Sequence, residues 1–144
     1  MRVVIQRVNY SKLSVNGELN SSIGKGLNVF IGVTKGDDET KAKRIANKIA
    51  TIRIFERDGK MNLSVKDIGG EVLLVSNFTL CTVDTSGARP DFGLSADKAL
   101  ANELYLMVAK ELNGLGIPTK LGVFGADMQI ETSLDGPITI YKEI

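Results

Sequence analysis

The sequence predicts an α+β fold in which a mixed sheet with a barrel-like core carries two main helices. Three observations point there. Several short apolar runs of strand length are separated by turn signals, two longer segments repeat apolar residues at helical spacing, and the two kinds of segment do not alternate with βαβ regularity. With 144 residues, 43% of them apolar, the span 1–144 is read as a single domain with one well-buried core.

The strands come first. Val3, Val4 and Ile5 open an apolar stretch, and Lys12 to Val15 alternates up to Asn16-Gly17, a strong short-range hairpin signal. Gly26 to Val33 is nearly continuous in apolar residues, as a strand covered on both faces should be. A helix over residues 38–51 is expected next. Asp37 is its candidate cap, and Ala42, Ile45, Ala46 and Ile49 form its buried stripe. Thr51 to Phe55 reads as a strand leading into the turn Arg57-Asp58-Gly59-Lys60, and Glu71 to Phe78 reads as the central strand of the sheet.

The segment Gly87 to Gly93 is irregular because of its Gly and Pro content. A second helix is expected over 96–113, with Ser95 as cap, a stripe of Leu100, Leu104, Met107 and Val108, and Gly114 at its end. Gly122 to Ile130 and Ile138 to Tyr141 read as the last strands, joined by a turn at Ser133 to Pro137.

Composition removes several chemistries. The chain has no histidine, so neither a Ser-His-Asp nor a Cys-His arrangement is available. One cysteine and no histidine leave only carboxylates as strong metal ligands, and neither a phosphate-binding GxxxxGK[ST] loop nor dinucleotide glycine spacing occurs. An enzyme of this composition is expected to work without metal or cofactor. Cys81 reads as a small packing residue. Charges at Arg2 and Arg7 break what would have to be the apolar core of a signal peptide, and the expected compartment is the cytoplasm.

The net charge of +1 hides an asymmetry. Residues 1–72 carry 13 Lys/Arg against 8 Asp/Glu, and residues 73–144 carry 5 against 9. A nucleic-acid contact should use the first half, and Lys41, Arg44 and Lys48 share a face of the first helix there. That face is either a solvated stripe or a surface that meets phosphates.

Two short segments place polar groups where chemistry is available. Ser76-Asn77-Phe78-Thr79-Leu80 puts two hydroxyls and an amide at the end of the most apolar strand. They either satisfy neighbouring backbone or serve a substrate. Asp135-Gly136-Pro137-Ile138-Thr139 reads either as a plain turn or as a place where main chain approaches a ligand closely. Asp84, Asp91 and Asp127 are available as bases, and nothing in the sequence singles one out.

Seven segments in order, Val4 to Val8, Arg53 to Phe55, Gly59 to Leu63, Ser76 to Leu80, Arg89 to Phe92, Phe124 to Met128 and Gly136 to Thr139, resemble the D-aminoacyl-tRNA deacylase family from end to end. The resemblance implies a homodimer acting on the acceptor end of aminoacyl-tRNA, with active sites at the interface. Each site would pair the strand end carrying Ser76, Phe78 and Thr79 as catalytic residues with a cis Gly-Pro turn from the partner. Asn77, Gly136, Pro137, Met128 and Phe92 would contact the substrate. L-amino acids would be excluded by the Gly-Pro main chain, while D-aminoacyl and glycyl esters enter. This sequence departs from the family twice: Asn77 stands where Gln is usual, and Leu134 where Asn usually precedes the Gly-Pro pair. The contrasting expectation is a non-catalytic RNA- or DNA-binding protein that keeps the fold and uses the basic helix.

Overall fold

The computed structural model describes residues 1–144. A fourteen-residue strand, β1 (Arg2–Val15), organises the sheet. Its first half pairs antiparallel with β3 (Gly26–Gly32) and its second half with β2 (Glu18–Ile23), while β8 (Gln129–Glu143) runs antiparallel along its other edge. β6 (Glu71–Ser76) lies parallel to β3, and the short β7 (Thr119–Leu121) lies parallel to β6. Asn20 Nδ2 and Ser21 Oγ donate to the Leu121 carbonyl at 3.2 and 3.0 Å, which brings the β7 edge back to β2 and nearly closes a barrel. A separate hairpin joins β4 (Phe55–Arg57) and β5 (Lys60–Leu63). Both expected hairpin turns carry positive φ at their two central residues, Asn16 and Gly17, then Asp58 and Gly59, as tight turns that follow strand twist require.

Alternation along the central strands divides the interior. Val72 and Leu74 join Val29, Ile31, Ile45, Ile49, Leu104 and Val108 in the main core beneath α1 (Glu39–Thr51) and α2 (Lys98–Gly114). Leu73 and Val75 face the other way, into a smaller cluster with Val8, Leu13 and Ile23. Tyr105 is buried in α2 and donates to the Leu74 carbonyl at 2.9 Å. Burial pushes its phenol up to about 12. It belongs to the buried stripe in place of Leu100 and Met107, which are only half-buried.

The structure moves several expected boundaries. Asp38 caps α1 by accepting from the Lys41 N–H at 2.9 Å. Asp37 is buried instead, taking the terminal ammonium at 2.7 Å and the Thr34 N–H at 2.6 Å. Helix α1 ends at Thr51, where the helix was expected to end, and the strand expected from Thr51 begins only at Phe55. Asp97 caps α2 by accepting from Ala99 and Leu100 N–H, and Ser95 lies in an isolated bridge to Thr34. Residues 122–128 form a turn with positive φ at Gly125 in place of a strand.

The largest departure is at the chain's end, where β8 runs unbroken through the expected turn. Gln6 pairs with Thr139 and Val8 with Leu134, so Arg7 alone faces the four residues Asp135 to Ile138. The excess residues bulge outward, which leaves Gly136 and Pro137 exposed.

Candidate active site

β6 delivers Ser76 to the edge of a cavity of about 620 Å³. Phe30, Val75, Phe124, Met128 and Ile130 form much of its apolar wall, and Ser76, Asn77, Ser95 and Lys98 contribute polar groups. The chain leaves the strand in a single 3-10 turn, Phe78–Cys81, capped by Asn77.

That turn is tied to its surroundings at nearly every polar group. The Asn77 N–H donates to the Ile31 carbonyl at 2.8 Å, and the Asn77 carbonyl accepts from the Leu80 N–H at 3.3 Å. Arg2 Nη1 donates to the Leu80 and Thr82 carbonyls at 3.0 and 2.8 Å. Beneath the turn lies Gly32, where a Cβ would fall 2.9 Å from Cys81 Sγ and 3.0 Å from the Asn77 carbonyl oxygen, so only glycine allows this approach. Cys81 is fully buried, donates to the Val33 carbonyl, and has its thiol pushed up by burial, which fits a packing residue and not a nucleophile.

The side chains of the turn have specific partners. Asn77 Oδ1 accepts from the Thr79 N–H at 3.1 Å and from the Thr79 hydroxyl at 2.5 Å. The Thr79 N–H is therefore committed, whereas the Phe78 N–H, first in the turn, has no partner within it. Phe78 is 60% exposed and meets Phe92 edge-to-face, with ring centroids 5.1 Å apart.

The expected site residues thus separate into groups. Ser76, Asn77, Phe78 and Met128 line one cavity; Thr79 adjoins it through Asn77, and Phe92 through Phe78. Gly136 and Pro137 are absent from that wall. Their peptide bond is cis, as the family resemblance implies, and Gly136 has φ +124°. Leu134 does not pack the bulge down, being 45% exposed. Arg7 holds it instead: Nε lies 3.0 Å from Asp135 Oδ2 and 3.3 Å from the Asp135 carbonyl, and Nη1 donates to the Ile54 carbonyl at 2.6 Å.

On α1, Lys41 is occupied by Asp37 and the Gly36 carbonyl, while Arg44 and Lys48 are exposed. Asp84, Asp91 and Asp127 are exposed and line no part of the main cavity. Sequence reasoning missed Arg7, Ser95 and Lys98. An arginine inside an apolar strand was the available signal for Arg7, since a charge there needs partners. Ser95 and Lys98 carried none.

Residues 4–143 match the D-Tyr-tRNA(Tyr) deacylase family. The chain belongs to that family. It is 46% identical over 144 residues to the D-aminoacyl-tRNA deacylase of Nautilia profundicola, covering all of both chains. It is 45% identical over 145 residues to the enzyme of that name from Lactobacillus helveticus, again covering all of both. A solved structure titled c-Myc DNA Unwinding Element Binding Protein superposes with a TM-score of 0.94 at 36% identity, covering 100% of this chain and 99% of that one. A second, titled as a probable eukaryotic D-amino acid tRNA deacylase, gives a TM-score of 0.85 at 18% identity over 99% and 98% of the two chains, which speaks to fold alone. Deacylase family members thus share the two helices and nearly closed mixed sheet. No helix here is long and apolar enough to cross a membrane.

Proposed function

We propose that this chain hydrolyses the ester of D-aminoacyl-tRNA, and of mischarged glycyl-tRNA, releasing the free amino acid and tRNA in the cytoplasm. The observation that carries the reading is a Phe78 N–H, first in its turn and without a partner in it, on a clamped turn at the wall of an apolar cavity. A fixed donor there suits the oxygen on which charge develops during ester hydrolysis.

Thr79 is disfavoured as the attacking group because its proton is given to an amide oxygen, which is not a base. Water is the nucleophile in this reading, positioned by the free ribose hydroxyl beside the ester. The protein supplies placement and electrostatics, and placement alone accounts for as much as ~7–11 kcal/mol of barrier lowering in favourable systems. Selection by handedness falls to Gly136 and Pro137, reaching across from a second copy. Their exposure on a bulge that lies outside the wall of the main cavity supports that arrangement.

The test is release of D-tyrosine from D-tyrosyl-tRNA by purified protein, with L-tyrosyl-tRNA as control and sedimentation run in parallel. Turnover of the D-ester alone by a dimer is expected. Equal turnover of both esters would end the handedness reading, and full activity in a monomer would end the shared site. A second reading, nucleic-acid binding without hydrolysis, draws on the name of the 36% identical structure; tRNA binding with no hydrolysis of either ester would favour it.

A further inference from the structure

We propose that Lys98 binds the phosphate joining the last two nucleotides of the tRNA, so that the start of α2 marks the nucleotide end of the site and the turn after β6 its ester end. This rests on the deacylase reading above and gives the substrate a direction in the cavity.

Among the residues that line the main cavity, Lys98 alone carries a charge. It is exposed, and none of the chain's ion pairs uses its ammonium. The neighbouring acid, Asp97, is spent on the helix: its Oδ1 accepts from the Ala99 and Leu100 N–H groups, both at 3.0 Å. Lys98 is also the first residue of α2, where a cation opposes the helix dipole. Helix α1 follows the usual preference, with Glu39 in its first turn, whereas α2 has no acid there. A cation kept in an unfavourable place, without a partner and on a cavity wall, points to an anion from outside the chain.

The substrate carries opposite charges at its two ends. Its amino acid bears an ammonium, which Lys98 repels, and its RNA bears backbone phosphates, which Lys98 attracts. The first phosphate met on leaving the ester through the ribose is the one that links the last two nucleotides. The start of α2 is tied to the turn that faces the ester: Ser95 Oγ donates to the Phe78 carbonyl at 3.4 Å, and the Ala96 N–H donates to the Val33 carbonyl at 3.0 Å. Lys98 follows three residues after Ser95, so its backbone is anchored at the cavity rim while its ammonium stays free to meet the phosphate.

A lysine suits that task as a point charge on a flexible stem, which meets a phosphate oxygen without a fixed fork geometry. The contact is made equally before and during the reaction, so it contributes to binding and not to the chemical step. It also lets the site favour an ester carried on RNA over the same ester on a bare nucleoside, which has no phosphate for Lys98 to hold.

The test compares D-tyrosyl-tRNA with the D-tyrosyl ester of adenosine, which stops short of that phosphate. Lys98→Met keeps most of the stem and removes the charge. In it the ratio of kcat/KM for the tRNA ester to that for the adenosine ester should fall about five- to tenfold, the scale of one charged contact near solvent. The fall should sit in KM for the tRNA ester, and Lys98→Arg should recover most of the ratio. The slope of log KM against log salt should become shallower by about 0.7 in Lys98→Met, because one single-strand phosphate is no longer neutralised. Losses of equal size on the two esters would overturn the proposal, since the adenosine ester has no phosphate to release. So would a ratio in Lys98→Met within about twofold of the wild-type value. The melting temperature should hold or rise in Lys98→Met, because the cation opposing the helix dipole is gone. Lys98→Gln takes its place in the comparison if the methionine variant fails to fold. A wild type that leaves both esters intact would instead remove the deacylase reading, and the role of Lys98 with it.

Discussion

The turn after β6 and the bulge in β8 are both short, polar departures from strands, yet the chain treats them differently. The Phe78–Cys81 turn is fastened from four directions: by Ile31, by Arg2, by its own cap at Asn77 and by close packing over Gly32. The Gly136–Pro137 bulge is exposed and is fastened from one side, by Arg7. A turn that binds charge must be stiff before substrate arrives, and here one chain supplies all of its supports. A bulge that selects shape has only to present main chain, and its second wall is left to another copy in the proposed dimer.

The sharpest way to break this contrast is Gly136→Ala. A Cβ there would lie 2.9 Å from both the Ile138 N and Cγ1 atoms, and φ +124° is strained for any L side chain. The added atom projects near Ile138 and Arg7, so the bulge must shift. Activity on D-esters should fall at least ~10²-fold from misplacement of the selecting main chain. Stability should fall by about 1–3 kcal/mol, the usual scale for such backbone strain. Urea unfolding alongside deacylation separates the two effects, and retained activity would mean that the bulge is not part of the site.

Arg7→Ala tests the single fastening. Its guanidinium is only 11% exposed and meets the Ile54 carbonyl and both oxygen types of Asp135. Removal leaves those carbonyls partly unmet, at about 1–3 kcal/mol. Activity is expected to drop about tenfold as the bulge loosens, a smaller loss than a Cβ at position 136 causes. Arg7→Lys should recover little, since one ammonium cannot span partners that the planar fork reaches. If Arg7→Ala lowers stability while kcat/KM stays at the wild-type value, the fastening is structural only.

Asp37 probes the better-supported region through pH. Burial pushes its carboxyl up, but the terminal ammonium, the Thr34 N–H, Lys41 and the Thr34 hydroxyl outweigh that and hold it below its ordinary 3.8. A carboxyl lowered by folding stabilises the folded state above its unfolded value and loses that contribution as pH falls through the folded one. Stability should therefore decline below about pH 4, and Asp37→Asn should flatten that part of the curve. At pH 7 the substitution leaves the buried ammonium without its counter-charge, though still bonded to the Ile144 carbonyl, and should cost about 3 kcal/mol. The ammonium belongs to the residue before Arg2, so the Leu80 end of the turn should loosen with it. Chemical unfolding from pH 3 to 7 checks the stability claim, and a wild-type curve with no acid limb would contradict it.

The two regions also differed in how far the sequence revealed them. The apolar run Glu71 to Phe78 announced a buried strand, which stops two residues short, at Ser76, where the 3-10 turn takes over; the polar cluster there needed partners, so the turn's neighbourhood was legible. What Asn77 bonds to was not, because a polar side chain at a strand end satisfies neighbouring backbone or serves a substrate equally well by type; the structure puts its oxygen on Thr79. At the other end, Gly and Pro suggested a turn between two strands, whereas pairing with β1 carried one strand straight through and expelled the excess residues opposite Arg7. Register is a property of the partner strand, and no local pattern encodes it. Asp37 failed as a cap for a similar reason: Asp38 caps equally well by type, and only the fold brings the chain's first residue next to Asp37. The resemblance fared better because it drew on seven segments spread over the chain, and the family match runs over residues 4–143; two of its residues, Phe124 and Met128, stand on the cavity wall.

The smallest expected effect lies outside both regions, on α1. Of its three aligned cations, Lys41 is occupied by Asp37, so reversing it would disturb the terminal ion pair and confuse the result. Arg44 and Lys48 are exposed, have no ion-pair partner, and can be reversed together to Glu without touching the core. If they meet phosphates of the acceptor strand, the double variant should raise KM about three- to tenfold with kcat unchanged, because distant phosphates contribute binding that is equal in the ground and transition states. The slope of log affinity against log salt should become shallower by about 0.7–0.9 for each phosphate that the helix no longer neutralises. Binding measured at two or more salt concentrations distinguishes this from a general change in net charge, which would shift affinity through a long-range field and fade within a Debye length. A shallower slope would extend the substrate footprint from the clamped turn onto the helix layer. An unchanged slope would confine recognition to the last nucleotides, leaving the turn, the bulge and Lys98 to grip the whole substrate between them.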